Sequence, residues 1–239
     1  MTQLPASSTD TGVPQQLPPP PPAWPMYRAL VGVGLVCAVL IVLVYQFTKP
    51  IIAANQLAAR QAAVFQVLPG ATGSTTFHYV EGTGFSAVAA DAAGDDLVFA
   101  GFDDNGQLVG VAVEAVGMGY QDAVRVLYGY APERQAVIGL QVLDSRETPG
   151  LGDRANTDPD FLANFAALDV SLAEGGETLA HPIEAVKHGE KDAPWQIDCI
   201  TGATITSTAI ADMMRSSTDV WVPRIAGSIS DFQQREVTP

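Results

Sequence analysis

Hydroxyl groups crowd one short stretch of this chain: Asp198, Cys199, Ile200, Thr201, Gly202, Ala203, Thr204, Ile205, Thr206, Ser207. The stretch reads as a loop entering a helix, with Thr201 able to cap the helix through its hydroxyl. Gly202 and Ala203 leave the first turn sterically open. Free backbone N–H groups and the positive end of the helix dipole then face outward together. That arrangement suits an anion such as a phosphate, and Thr204 sets a hydroxyl beside it. A plain capped helix accounts for the same residues without any ligand, because hydroxyl-rich helix starts are common. No G-x-x-x-x-G-K-[ST] run is present, and no G-x-G-x-x-G lies between a strand and a helix. No Ser-His-Asp or Cys-His constellation is recognisable.

The elements that must position this stretch divide the chain unevenly. Residues 1–26 carry one charge, Asp10, and many prolines, a composition that builds no core and favours extended polyproline II. Leu30 to Phe47 follows without a single charge. At helical rise these residues cover roughly 27 Å, close to the ~30 Å hydrocarbon core of a bilayer. Arg28 and Lys49 can snorkel at its two ends, and Tyr27 and Tyr45 suit the interface. A cleaved signal peptide would have a shorter apolar region and a better small-x-small site than Ala53-Ala54 offers. The expectation is therefore an uncleaved membrane helix over 27–48. An Ala-rich stalk helix follows over 49–70, stopped by Pro69-Gly70.

The remainder, 71–224, reads as one α+β domain with a twisted, mainly antiparallel sheet flanked by helices, before a C-terminal tail at 225–239. Asn105-Gly106 marks a hairpin between Leu97–Phe102 and Leu108–Val116. Ala123–Tyr130 and Ala136–Leu143 form a second apolar pair. Phe161–Ala167 reads as a short helix, Ile183–Val186 as a strand, and Thr201 to about Trp221 as the last helix.

Charge excludes some functions. Beyond Pro50 the chain holds 25 acidic residues against 10 Lys and Arg. Such a surface repels phosphate backbones, so nucleic acid is not a partner. Two cysteines cannot supply a four-thiolate cluster. Cys199 reads as a packing thiol, and His78, His181 and His188 fall in no metal-ligand spacing, so no metal site is expected.

Asp198-x-x-Thr201-Gly202-Ala203-Thr204 resembles the flavinylation motif of the FMN-binding domain family. That domain is found in the G subunit of Rnf electron-transport complexes and the C subunit of the Na⁺-translocating NADH:quinone reductase. Arg146-Glu147-Thr148-Pro149-Gly150-Leu151-Gly152 resembles the family's E-T-P-G-L-G loop, and Gly117-Met118-Gly119-Tyr120 its glycine–tyrosine segment. Val67-Leu68-Pro69-Gly70 after a stalk and the single N-terminal anchor also fit. Thr201 to Ser207 is more similar to the Rnf protein.

The resemblance implies a membrane-anchored electron carrier with covalent FMN, joined through its phosphate to Thr204. A separate flavin transferase would install the flavin from FAD. It further implies assembly with other subunits of an ion-translocating ferredoxin:NAD oxidoreductase in the bacterial inner membrane, with the flavin domain on the periplasmic side. The alternatives are a stand-alone anchored flavoprotein and a component of a quinone reductase. Around the cofactor the resemblance places Thr201, Gly202, Ala203, Asp198, Ile205 and Thr206, together with Glu147, Thr148, Leu151, Gly152 and Tyr120. Asp198 serves transferase recognition or is an ordinary turn carboxylate. Thr148, Leu151 and Gly152 line the flavin or only shape their loop.

Overall fold

The computed structural model describes residues 22–92, 94 and 96–233. The proline-rich tail up to residue 21 and the last six residues of the C-terminal tail lie outside them. Contacts divide the chain into two units, one ending at Ile52 and the other running from Ala53.

The first unit is the N-terminal part of helix α1 (Trp24–Val67). Its most apolar 18-residue window has a mean hydropathy of 2.6, and its large side chains, from Leu30 through Phe47, are exposed. Helical pairing satisfies every backbone group internally, which is the condition for crossing hydrocarbon. The helix runs straight through the expected boundary at 48–49 and includes Pro50. Proline removes only one backbone donor there. The Thr48 hydroxyl, two residues earlier, donates to the carbonyl of Val44 at 2.8 Å.

The second unit is built on seven strands: β1 (Gly73–Val80), β2 (Gly84–Val88), β3 (Leu97–Phe102), β4 (Leu108–Met118), β5 (Ala123–Ala131), β6 (Ala136–Asp144) and the short β7 (Leu168–Asp169). They lie in the order β2-β1-β3-β4-β5-β6-β7 with every neighbour antiparallel. After β6 come a 3₁₀ turn (Gly152–Asn156), helix α2 (Pro159–Ala163) and a second 3₁₀ turn (Asn164–Ala166). Asp158 caps α2 by accepting from the N–H groups of Asp160 and Phe161. A parallel pair, β8 (Glu184–Val186) and β9 (Gln196–Asp198), leads into helix α3 (Thr204–Gly227).

Alternation along the central strands sends side chains to two separate cores. Val111, Val113 and Ala115 of β4 and Val124, Val126 and Tyr128 of β5 join Ile210, Met213, Met214 and Val222 of α3 on one face. The Tyr128 hydroxyl bonds to Ser217 of α3 at 2.8 Å. On the other face Ala112 and Leu127 join Phe99 beneath Ala63, Val64, Val67 and Leu68 at the end of α1. Glycine makes that second contact close. Gly101 pairs with Gly110, and Gly129 with Gly139. A Cβ at any of the four would collide with Val67 or Leu68. Four missing side chains on β3 to β6 thus form the trough in which the end of α1 lies.

Candidate functional site

The site begins with how the chain enters α3. Ala203, not Thr201, is the residue before the first helical turn, and no side chain caps it. The reason lies in the preceding turn. Ala203 donates its N–H to Ile200 at 3.0 Å, and Gly202 holds φ at +84°, a left-handed conformation that glycine adopts without strain. Thr201 is spent in that turn, its carbonyl accepting from Arg154 at 3.3 Å. Ser207 does the fastening instead: its hydroxyl accepts from Ile200 N–H at 3.1 Å and donates to the Ala203 carbonyl at 2.9 Å. The N–H groups of Thr204, Ile205 and Thr206 fall in the first turn, where no intrahelical acceptor exists. No acidic residue of the helix itself stands in that turn, and Thr204, Ile205 and Thr206 line a cleft.

Glu147, in the loop after β6, ties this turn to the β4–β5 hairpin. Its residue is only 6% exposed. One carboxylate oxygen accepts the Thr206 hydroxyl at 2.7 Å. The other accepts the N–H groups of Gln121 at 3.0 Å and Asp122 at 3.5 Å. Burial pushes the Glu147 pKa up, but the hydrogen bonds from Gln121, Thr206, Asp122 and Tyr120 outweigh it and hold the carboxyl below its ordinary value. Glu147 is therefore a largely buried, ionised carboxylate with a hydrogen-bond donor on each oxygen. Two glycines let it in: a Cβ at Gly119 or Gly152 would overlap the carboxylate oxygens. Nearby, Thr148 donates its hydroxyl to the Gln121 side chain at 3.1 Å.

These three segments enclose a cleft of about 320 Å³ lined by Tyr120, Glu147, Thr148, Leu151 and Gly152 on one side and by Gly202 through Thr206 on the other. Ten of the twelve residues singled out from the sequence meet here. Asp198 and Thr201 do not: they line a separate pocket of about 120 Å³ with Arg154 and His188. Asp198 is occupied in holding its own loop. Its carboxylate accepts from Gly189 N–H at 2.8 Å and lies 3.5 Å from His188, and its backbone pairs with Asn164 at both N–H and carbonyl. Cys199 is buried, 3.9 Å from the Thr208 hydroxyl, and burial raises its pKa.

Thr204 is exposed at the lip of the cleft, whereas Thr206 and Ser207 are buried. On its other side Thr204 opens onto a groove of about 830 Å³ between α3 and β4, floored by Val116, Met118, Met213 and Val220. Both volumes fall within the ~300–1,000 Å³ range of small-molecule sites. Around Thr204 stand five exposed large apolar side chains, Val116, Met118, Tyr120, Leu151 and Ile205. Val116 is not singled out by the sequence, and Met118 enters there only as a member of the Gly117–Tyr120 segment, without a role of its own. Gln121 and Asp122 escape sequence reasoning, as does the part that Gly119 plays beside Glu147. Backbone donors and a glycine that yields space leave no side-chain signature.

The chain is similar to known proteins over most of its length. Residues 119–219 match the family model described as FMN-binding domain, and residues 29–67 that described as RnfG N-terminal region. The chain is 31% identical over 193 residues to the G subunit of the ion-translocating oxidoreductase complex of Methanosarcina acetivorans, covering 80% of this chain and 89% of that protein. It is 32% identical over 186 residues to the protein of the same description from Pseudomonas aeruginosa, covering 76% and 78%. Among solved structures, NqrC of Shewanella oneidensis superposes with a TM-score of 0.55 at 17% identity, over 76% of this chain and 98% of that one. The C subunit of the Na⁺-translocating NADH-quinone reductase of Parabacteroides distasonis gives 0.53 at 18%, over 77% and 96%. At those identities the likeness is one of fold.

Proposed function

Because the chain belongs to the family of G subunits of ion-translocating oxidoreductase complexes and carries that family's FMN-binding domain, we propose that it is a single-pass membrane electron carrier whose FMN is joined through its phosphate to Thr204. The observation that carries the reading is the exposure of Thr204 at the positive end of α3, between the cleft and the groove.

The residues present fit the group. The N–H groups of Thr204, Ile205 and Thr206 would hold the phosphate, whose remaining charge the helix dipole offsets. Tyr120, Leu151 and Ile205 offer apolar surface to a flat ring. Gly152 lets the loop backbone approach, and the cleft shields one face from water. A bound flavin would supply the redox chemistry, and the chain's task is to fix its position and environment. Glu147 would add a fixed negative charge near the ring, which disfavours gaining a further electron there.

In this reading a flavin transferase attaches the group from FAD, and the carrier works beside other subunits of a complex passing electrons between ferredoxin and NAD. The domain faces the periplasm from the bacterial inner membrane, with the proline-rich tail inside the cell. The N-terminal match over residues 29–67 favours the Rnf-type complex over a quinone reductase. After co-expression with the transferase, the wild-type band on a denaturing gel is expected to fluoresce and the Thr204→Val band to be dark. A dark wild-type band refutes the covalent flavin; a bright Thr204→Val band moves it to another hydroxyl. Protease added to intact cells with a permeable outer layer is expected to digest the domain, and full protection reverses the orientation.

A further inference from the structure

Five hydroxyls, on Thr201, Thr204, Thr206, Ser207 and Thr208, lie within eight residues, yet one acceptor is required. We propose that Glu147 selects it: by taking the Thr206 hydroxyl into a buried hydrogen bond it removes the other α3 hydroxyl that lines the cleft and leaves Thr204 as the acceptor there for the flavin phosphate. This rests on the flavin reading above and extends it to the choice of oxygen.

Thr206 stands two residues beyond Thr204 in the first turn of α3 and is the hydroxyl nearest to it along the helix that is not needed for the turn. Its side chain points at the Glu147 carboxylate at 2.7 Å, and only 2% of the residue is exposed. Ser207 is withdrawn by a different means, its oxygen bridging the Ile200 N–H and the Ala203 carbonyl. Thr201 is exposed but belongs to the turn held by Arg154, outside the cleft. Thr208, one turn beyond Thr204, is half-buried, lies 3.9 Å from the Cys199 sulfur and faces the groove, not the cleft. The Glu147 bond is thus the one restraint on Thr206 that comes from a distant part of the chain. Gly119 and Gly152, by yielding space on either side, hold the carboxylate in place to make it.

The transfer shows why masking matters. The attacking hydroxyl oxygen forms a bond to the riboflavin-bearing phosphorus of FAD. The pyrophosphate P–O bond breaks, adenosine monophosphate leaves with the electron pair, and the hydroxyl proton passes to solvent or a base. No group is oxidised or reduced. A carboxylate beside a hydroxyl can serve as such a base. The phosphorus must nevertheless approach the oxygen in line with the leaving group, and the buried Thr206 oxygen offers no such approach. Glu147 is a positioning residue in this scheme.

The test maps the modified residue by mass spectrometry of tryptic peptides after co-expression of the full chain with the transferase. Wild type is expected to carry the flavin on Thr204 alone, and Thr204→Val to carry none. Adding Glu147→Ala to Thr204→Val is expected to bring modification onto Thr206, about tenfold or more above the background signal of the single variant, the population change that follows loss of a hydrogen bond to a charged group. Glu147→Asp, one methylene shorter, is the milder opening and carries the test if the alanine variant does not fold. Modification of Thr206 in Thr204→Val alone overturns the proposal. So does a double variant that folds and stays unmodified while the Glu147 single variant is still flavinylated on Thr204. Absence of flavin from wild type overturns the underlying reading, and is distinguished from both by the wild-type peptide.

Discussion

Gly152→Ala puts the packing of the Glu147 carboxylate to a direct test. The added methyl carbon would overlap a carboxylate oxygen of Glu147 and lie 2.8 Å from the Thr206 hydroxyl and 2.9 Å from the Glu147 Cβ. Glu147 has little room to retreat, because Gly119 already lies against its other oxygen. The bond to Thr206 must therefore lengthen or break. Loss of a hydrogen bond to a charged group costs about 1.5–3 kcal/mol, and overpacking costs about 1–3 kcal/mol. One relieves the other, so the net is roughly 2–4 kcal/mol rather than the sum. At about 2–4 °C per kcal/mol for a domain of this size, the melting temperature should fall by roughly 5–15 °C. The assay is thermal unfolding of the full chain in detergent, followed by circular dichroism. Gly73→Ala is the control, since a Cβ there meets nothing within 4 Å and its φ is not positive; it should change stability by less than about 0.5 kcal/mol. A Gly152→Ala protein that melts within about 2 °C of the control would refute the reasoning. Glycine at 152 would then serve the loop's conformation and not the approach of Glu147.

Three further outcomes are expected. Gly129→Ala sets a methyl against the backbone carbonyl of Val67, which cannot swing aside as a side-chain tip can, so it should cost about 3 kcal/mol and raise protease cleavage near Pro69. The folded-state pKa of Glu147 lies below its ordinary value of 4.5; its stabilisation is therefore complete above about pH 4.5 and is lost as pH falls through the folded-state pKa. Glu147→Gln should flatten the acid limb of melting temperature against pH, and an unchanged limb would assign the titration elsewhere. Cys199 should react with a maleimide only after denaturation, and fast native labelling would show that the loop before α3 opens.

Much of this fold is legible in the sequence because its strands are strongly apolar and separated by clear turns. The two hairpins over Leu97–Val116 and Ala123–Leu143 need only their hydrophobic runs and Asn105-Gly106. Strands β1 and β2 are not legible in this way, and the reason is chemical. Gly73-Ser74-Thr75-Thr76-Phe77-His78 mixes polar and apolar residues without a sustained period, and its strand character comes from pairing with β3, a strand buried along its whole length. The sequence suggests that helix α3 stops near Trp221, but it continues to Gly227 through Pro223. Val222 and Ile225 are fully buried, and their packing outweighs the single donor that proline removes. The start of α3 differs from expectation for a related reason. A threonine before a glycine looks like a cap, but the turn made by Gly202 spends Thr201, and a serine inside the helix fastens the entry without capping it.

The site shows the same division between what residue types announce and what only folding supplies. Thr204 and Ile205 are separated from Glu147 and Leu151 by more than fifty residues in sequence, and two motifs mark them without saying that they meet. What brings them together is a carboxylate that would be costly to bury alone. It is tolerable because the α3 turn offers a hydroxyl, the β4–β5 hairpin offers backbone N–H groups, and two glycines offer space. Remove any one of these and the buried carboxylate loses part of its hydrogen bonding or the room it occupies. The loop after β6, the hairpin and the helix start therefore hold one another in register through Glu147. The exposed Thr204 is fixed by a group that it does not itself touch.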